Sequence, residues 1–282
     1  MSILSRRKFI KSAVAFGASA VVASSLDAKD NDTLKFVHVT DSHMDFADVA
    51  SVEAIELMVA HINKNYKNLD FVLFGGDNYN NNVDDNKDAV LFKYIVDKLH
   101  CPYYIVRGNK ESSPTSNLQS VLSKDFDNIF LQNKTLHKSG KDWILKTKGY
   151  QILGLDSCIE HKNNGLYTEK TLAFAEKALQ SKKPTIILNH HPYTNYWKGT
   201  EAKDIKKYVL GNTKETQKRL FKYPNLLLTL SGHKHIDSVT NINTTKVIVT
   251  RGFVRPLDLD MYPMRYVEID GRDIHEKIIY TS

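Results

Sequence analysis

Sulfur is scarce in this 282-residue chain, which has only two cysteines, Cys101 and Cys158. Cys101 precedes one expected strand and Cys158 follows another, which puts them at opposite ends of a sheet and leaves no disulfide expected. Low-complexity tracts and internal repeats are also missing, and no Pro/Gly/Ser-rich linker divides the chain, so the bulk of it reads as one domain. No apolar run reaches the ~20 residues that span a bilayer. The longest candidate, AVAFGASAVVASSLDA, has an apolar part of only roughly 14 residues, the length of a secretory h-region. What remains is ordinary for a soluble globular protein: 41% hydrophobic and 25% charged residues in 32.2 kDa.

The formal charge of +7 raises the question of a nucleic-acid partner. Arg6, Arg7, Lys8 and Lys11 stand against the single acid Asp27 in the first 28 residues, so the remainder carries only +4. The densest basic stretch, KKYVLGNTKETQKRLFKYP, mixes lysines with polar residues at helical spacing, the pattern of a solvated helix face. No nucleic-acid partner is therefore argued. The segment Ser5-Arg6-Arg7-Lys8-Phe9-Ile10-Lys11 resembles the twin-arginine export signature. That resemblance implies a signal peptide over 1–28, a functional domain over 29–282, engagement of the twin-arginine export machinery and a periplasmic location. An uncleaved N-terminal anchor is the alternative. Proteins using this route are exported folded, often with a cofactor loaded.

Hydrophobic periodicity predicts strands at 34–40, 70–76 and 102–106, separated by helices over 48–66 and 85–99. A hairpin follows around Gly149, then a helix over 168–180, a strand at 184–190, a helix near 213–222 and a strand over 225–232. The tail reads as two antiparallel β pairs. This order predicts an α/β fold with two mixed sheets packed face to face and flanked by helices.

Ligands collect at the carboxyl ends of parallel strands. Five expected strands end there in Asp41-Ser42-His43, Gly76-Asp77-Asn78, Gly108-Asn109-Lys110-Glu111, Asn189-His190-His191 and Gly232-His233-Lys234-His235. Five of the eleven histidines fall in these segments; His38, His61, His100, His137, His161 and His275 read as structural or surface residues. Oxygen and imidazole donors without thiolates suit Mn, Fe, Zn or Co.

In this order the blocks resemble the calcineurin-like metallophosphoesterases, over roughly 34–270, and the closing segment RGFVRPLDLDMYPMRYVEID is similar to the cyclic-nucleotide phosphodiesterase-like branch. The resemblance implies an αββα sandwich holding two divalent or trivalent metal ions. Asp41, His43 and His235 would hold one, Asn109, His190 and His233 the other, and Asp77 would bridge them. A metal-bridging hydroxide would then attack a phosphomonoester or phosphodiester substrate. Lys110 stands where the family has a catalytic histidine, and Glu111 where it has the acid that orients it. Lys110 can supply a point charge to the phosphoryl group, but an ammonium of ordinary pKa about 10.4 is a poor proton donor. Asn78, His191, Arg255 and Tyr262 are candidate substrate contacts, and Arg107 is expected to pair with Glu111 or to face solvent. A metal- and phosphate-binding protein with little catalysis is the alternative reading. Substrate identity and oligomeric state are not legible.

Overall fold

The computed structural model describes residues 33–81, 86–112, 123–194, 203 and 205–282. The expected signal peptide lies outside the described residues.

Two mixed sheets face each other. The first has the order β12-β11-β1-β2-β3, built from β1 (Leu34–Val39), β2 (Phe71–Phe74), β3 (Tyr103–Ile105), β11 (Pro263–Asp270) and β12 (Asp273–Tyr280). Its strands β1, β2 and β3 are parallel, in the register Phe36↔Phe71 and Val72↔Tyr103, and the β11–β12 hairpin joins antiparallel to β1. The second has the order β4-β5-β6-β7-β8-β10-β9, from β4 (His137–Ser139), β5 (Asp142–Thr147), β6 (Tyr150–Gly154), β7 (Thr185–Leu188), β8 (Leu226–Ser231), β9 (Ser238–Ile242) and β10 (Thr245–Val249). Here β6, β7, β8 and β10 are parallel.

Strand alternation divides the apolar residues between two layers. From β7, Ile186 and Leu188 face the core between the sheets, together with Phe36, Phe71 and Tyr104, whereas Ile187 faces outward. The outer layer is closed by α4 (Glu169–Leu179) and α5 (Thr213–Leu220), whose Leu172, Ala175, Leu179 and Leu220 pack against Leu153, Ile187 and Val247. On the other side α1 (Val49–Asn65) packs beside α2 (Lys87–Val96), and α2 beside α3 (Ser123–Phe130). In α1 the Asp48 side chain caps the Ala50 amide, and Ala54, Ile55, Met58, Val59 and Ile62 form its buried stripe. Trp143 ties the layers together, its indole donating to the Ile105 carbonyl at 3.0 Å.

The sandwich agrees with the expected fold class. Two short elements, α3 and β4, were not foreseen. The two tail hairpins are present but divide between the sheets, β9–β10 going to the second and β11–β12 to the first. Both cysteines are free.

Candidate metal centre

Three of the five polar strand ends leave the first sheet and two leave the second, so the site forms along the seam between them rather than at one end of one sheet. The exits of β1 and β2 run side by side, with the amides of Asp41, His43 and Met44 donating to the carbonyls of Gly76, Asp77 and Asn78. Asp41, His43, Asp77, His233 and His235 all have left-handed backbone, with φ between 47° and 68°. Non-glycine residues avoid that region, and such strain concentrates where side chains must be aimed at one point. The packing is close enough to need glycine. A Cβ on Gly108 would stand 2.2 Å from the Asp77 amide nitrogen, and one on Gly232 would stand 2.3 Å from Asp41 Oδ2.

The side chains converge as follows. Asp41 Oδ1 lies 3.2 Å from His235 Nε2, which lies 3.1 Å from His43 Nε2. Asn109 Oδ1 lies 3.1 Å from His190 Nε2. Asp77 Oδ2 sits between the two groups, 3.4 Å from His190 Nε2 and 3.7 Å from His43 Nε2. Its other oxygen is fixed by the Lys110 amide at 2.7 Å. Two donors bound to one ion at ~2.1 Å and ordinary angles stand roughly 3.0–3.4 Å apart, so nearly all of these spacings match edges of a coordination polyhedron. Asp41, His43 and His235, and separately Asp41, Asp77 and His190, bring donor atoms within 4.8 Å of one another.

Hydrogen bonds on the far ring nitrogens aim the lone pairs inward. His43 Nδ1–H donates to Asn80 Oδ1 at 3.1 Å and His190 Nδ1–H to the Gly75 carbonyl at 3.0 Å, freeing both Nε2 atoms. His233 Nε2–H donates to the Lys207 carbonyl at 3.0 Å, which frees Nδ1. The buried Asp41 and Asp77 also call for positive charge. Burial alone would raise Asp77, but the charge and hydrogen bond of His190, with His43 behind it, hold the carboxyl well below the usual range. Asp41 is likewise lowered, burial being outweighed by its bond to His235 and the charge of His190. Burial pushes the His43 imidazole down, and burial together with the His190 charge pushes His233 down to about 4. His190 is raised to about 9, because the Asp77 charge overcomes burial. A proton on His190 and a metal cation answer the same carboxylate charge, so the donor set fits metal ions.

The remaining expected residues lie elsewhere or act differently. Lys110 is half-buried at the edge, and its ammonium has no hydrogen bond or ion pair among the described residues. Glu111 is fully buried and does not orient it. Its two oxygens accept from the amides of Asp77, Asn78 and Gly108 and from the Asn78 side chain, at 2.6–3.0 Å, so all four lone-pair sites are used. Burial and the Asp77 charge push this carboxyl up to about 7.

Asn78 is a buried strut donating to Glu111 and to the Val106 carbonyl, not a pocket wall. His191 is buried behind His233 at 4.5 Å between ring centres, with both nitrogens taken by Ser157 Oγ and the Asn163 carbonyl, leaving none for substrate. Arg255 is exposed on the loop after β10, and its carbonyl accepts from Arg251. Tyr262 stacks on Phe253 at 4.8 Å as part of the core margin. Arg107 pairs with neither Glu111 nor solvent; it is buried and makes a two-pronged bond to Asp156 and one to Glu160. Sequence reading missed Asn80, Ser157 and Asn163, because a lone polar residue in a loop carries no local signal of the ring it will face.

A family model described as calcineurin-like phosphoesterase matches residues 34–237, a span containing every residue of the converging cluster. The chain belongs to that family. A probable glycerophosphodiester phosphodiesterase, GpdQ, of Arcobacter nitrofigilis is 27% identical over 235 residues, covering 80% of each chain. Among solved structures, a dimetal phosphatase from Danio rerio aligns with a TM-score of 0.62 at 14% identity, over 88% of this chain and 99% of that one. The yellow lupin purple acid phosphatase aligns at 0.59 and 15% identity, over 88% and 52%. At these identities the structures establish the phosphoesterase fold alone.

Proposed function

We propose that this calcineurin-like phosphoesterase is a two-metal phosphodiesterase acting on small phosphodiesters of the glycerophosphodiester kind, exported through its twin-arginine-like N-terminus. The observation that carries the reading is the placement of Asp77 Oδ2 between His43 and His190, with Oδ1 locked by the Lys110 amide. Asp41, His43 and His235 would hold one ion, and Asn109, His190 and His233 the other. Bound there, the two ions would polarise the phosphoryl oxygens and acidify water at neutral pH. The chain's own contribution is orientation. Asn80 and the Gly75 and Lys207 carbonyls fix the imidazole tautomers, and Glu111 knots the β2 and β3 exit loops together so that Asp77 and Asn109 keep their separation. The phosphodiester preference comes from the 27% identical relative; Lys110 would add positive charge at the substrate side.

Lys110 also supports a second reading, a metal- and phosphate-binding protein with little turnover. The two separate in one experiment. Protein reconstituted with Mn, Zn, Fe or Co is offered aryl and alkyl phosphodiesters and monoesters, and bound metal is measured in parallel. Two bound metals with diester hydrolysis are expected. Two metals without turnover on any ester would leave only the binding reading, and no bound metal would overturn both.

A further inference from the structure

A groove of about 550 Å³ lies on the outer face of the seven-stranded sheet, and none of the candidate metal ligands lines it. One wall is a face of α4 carrying Lys170, Phe174 and Lys177; the other is the uncovered β4–β5 edge with Lys138 and Lys146. Seven residues separate Lys170 from Lys177, so they stand on the same face about two turns apart. Ile144 and Phe174 form an apolar floor that continues into the outer core.

The groove's polarity is one-sided. Five lysines line it, with Lys183 the fifth, and no carboxylate does. Lys138 is tied to the Leu131 carbonyl. Lys146, Lys170, Lys177 and Lys183 are exposed, and their ammonium groups form no ion pair or hydrogen bond among the described residues. Asp142 feels the Lys170 charge, but one of its oxygens is already engaged by the Asp156 amide.

We propose that this groove docks the protein on an anionic phospholipid surface, independently of the catalytic reading. Four unpaired cations facing one opening demand a partner of dense negative charge. No arginine lines the groove, so there is no planar fork for a single phosphate or carboxylate, and recognition rests on point charges facing a diffuse anionic layer. Stacking successive bases of a single strand needs a row of exposed rings, whereas the groove offers only the exposed imidazole of His137 and the half-buried floor ring of Phe174. Long lysine stems over an apolar floor, with their heads outward, match the boundary between headgroups and acyl chains.

The test is co-sedimentation of the full chain with phosphatidylcholine vesicles and with vesicles half phosphatidylglycerol, at low and high salt. Wild type is compared with Lys146→Glu/Lys177→Glu and, as a second pair, Lys170→Gln/Lys183→Gln. All three proteins keep the same first 32 residues, so differences between them report the groove. Each lysine near an anionic surface multiplies partitioning by roughly fivefold. The expected result is salt-sensitive binding to anionic vesicles only, reduced at least about tenfold in both variants. Equal binding by wild type and variants, or no preference for anionic vesicles, overturns the proposal. Tighter, variant-sensitive binding of a single-stranded oligonucleotide at equal phosphate concentration overturns the lipid assignment.

Discussion

Replacing Asn80 with alanine removes the acceptor that holds His43 in the tautomer with Nε2 free. The ring then has no partner on Nδ1 and can place its proton on either nitrogen, so part of the population presents N–H where a lone pair is needed. Outer partners of this kind are worth about 10–100-fold in metal affinity, or about 1.4–2.7 kcal/mol. The loss should fall on one ion only. Asn80 touches neither His190 nor His233, and the alternative contact it gives up is a long 3.4 Å bond to Asp45. Stability should therefore change by about 1 kcal/mol or less. Calorimetric titration of the full chain with Mn or Zn, fitted to two classes of site, separates the effects. One class should weaken by the stated factor while the other stays within about threefold, and Asn80→Asp, which keeps the acceptor, should restore most of it. Equal weakening of both classes, or none, would refute the argument that this amide acts through the His43 ring.

Three further outcomes follow from other parts of the molecule. Lys110→His should raise turnover of alkyl esters more than of aryl esters while leaving metal content unchanged, because only the Lys110 backbone holds Asp77; an unchanged alkyl rate would count against a missing proton donor. Gly108→Ala should destabilise the fold by about 1–3 kcal/mol and lower metal stoichiometry, since the new methyl meets Asp77 at both its amide and its carboxylate; denaturant unfolding with metal analysis would sink this if both were unaltered. His38 is pushed down to about 3, first by burial and then by the Arg265 charge. Its folded value lies below the unfolded 6.5, so the unfolded chain takes the proton first as pH falls. Its contribution is complete above pH 6.5 and fades toward pH 3, by about 1.4 kcal/mol per unit. His38→Gln should flatten the urea-midpoint profile between pH 6.5 and 4.5, and parallel profiles for the two proteins would disprove that origin.

The cluster was readable because short polar segments each follow a β-rich run, and the chemistry of Asp41, His190 or His235 is visible in the letters alone. The partition of those segments between two sheets was not, since DFVLFGG and PTIILNH are equally buried strands and nothing local states which sheet each joins. The left-handed backbone at Asp41 and Asp77 is imposed by tertiary contacts against local preference. The family resemblance makes Glu111 the acid orienting its neighbour, whereas the turn sends its carboxylate inward under the β2 loop. The three residues of β4 and the mostly polar α3 are too short and too weakly patterned to register; α3 is held by Phe126 and Phe130 reaching the core.

The β11–β12 hairpin bears on how firmly the centre is held, although it carries none of the candidate ligands. Strand β1, which delivers Asp41 and His43, is flanked on one side by β2 and on the other by β11, which begins only at Pro263. The amides of Phe253 and Val254, just upstream of that strand, grip the carbonyls of Thr40 and Asp41. Without the β11–β12 hairpin every candidate ligand would still be present, but β1 would lose its neighbour on one side and keep only β2 beside it. Deleting this hairpin, which carries no candidate ligand, should therefore weaken the hold on metal, as measured by the metal content of the shortened protein.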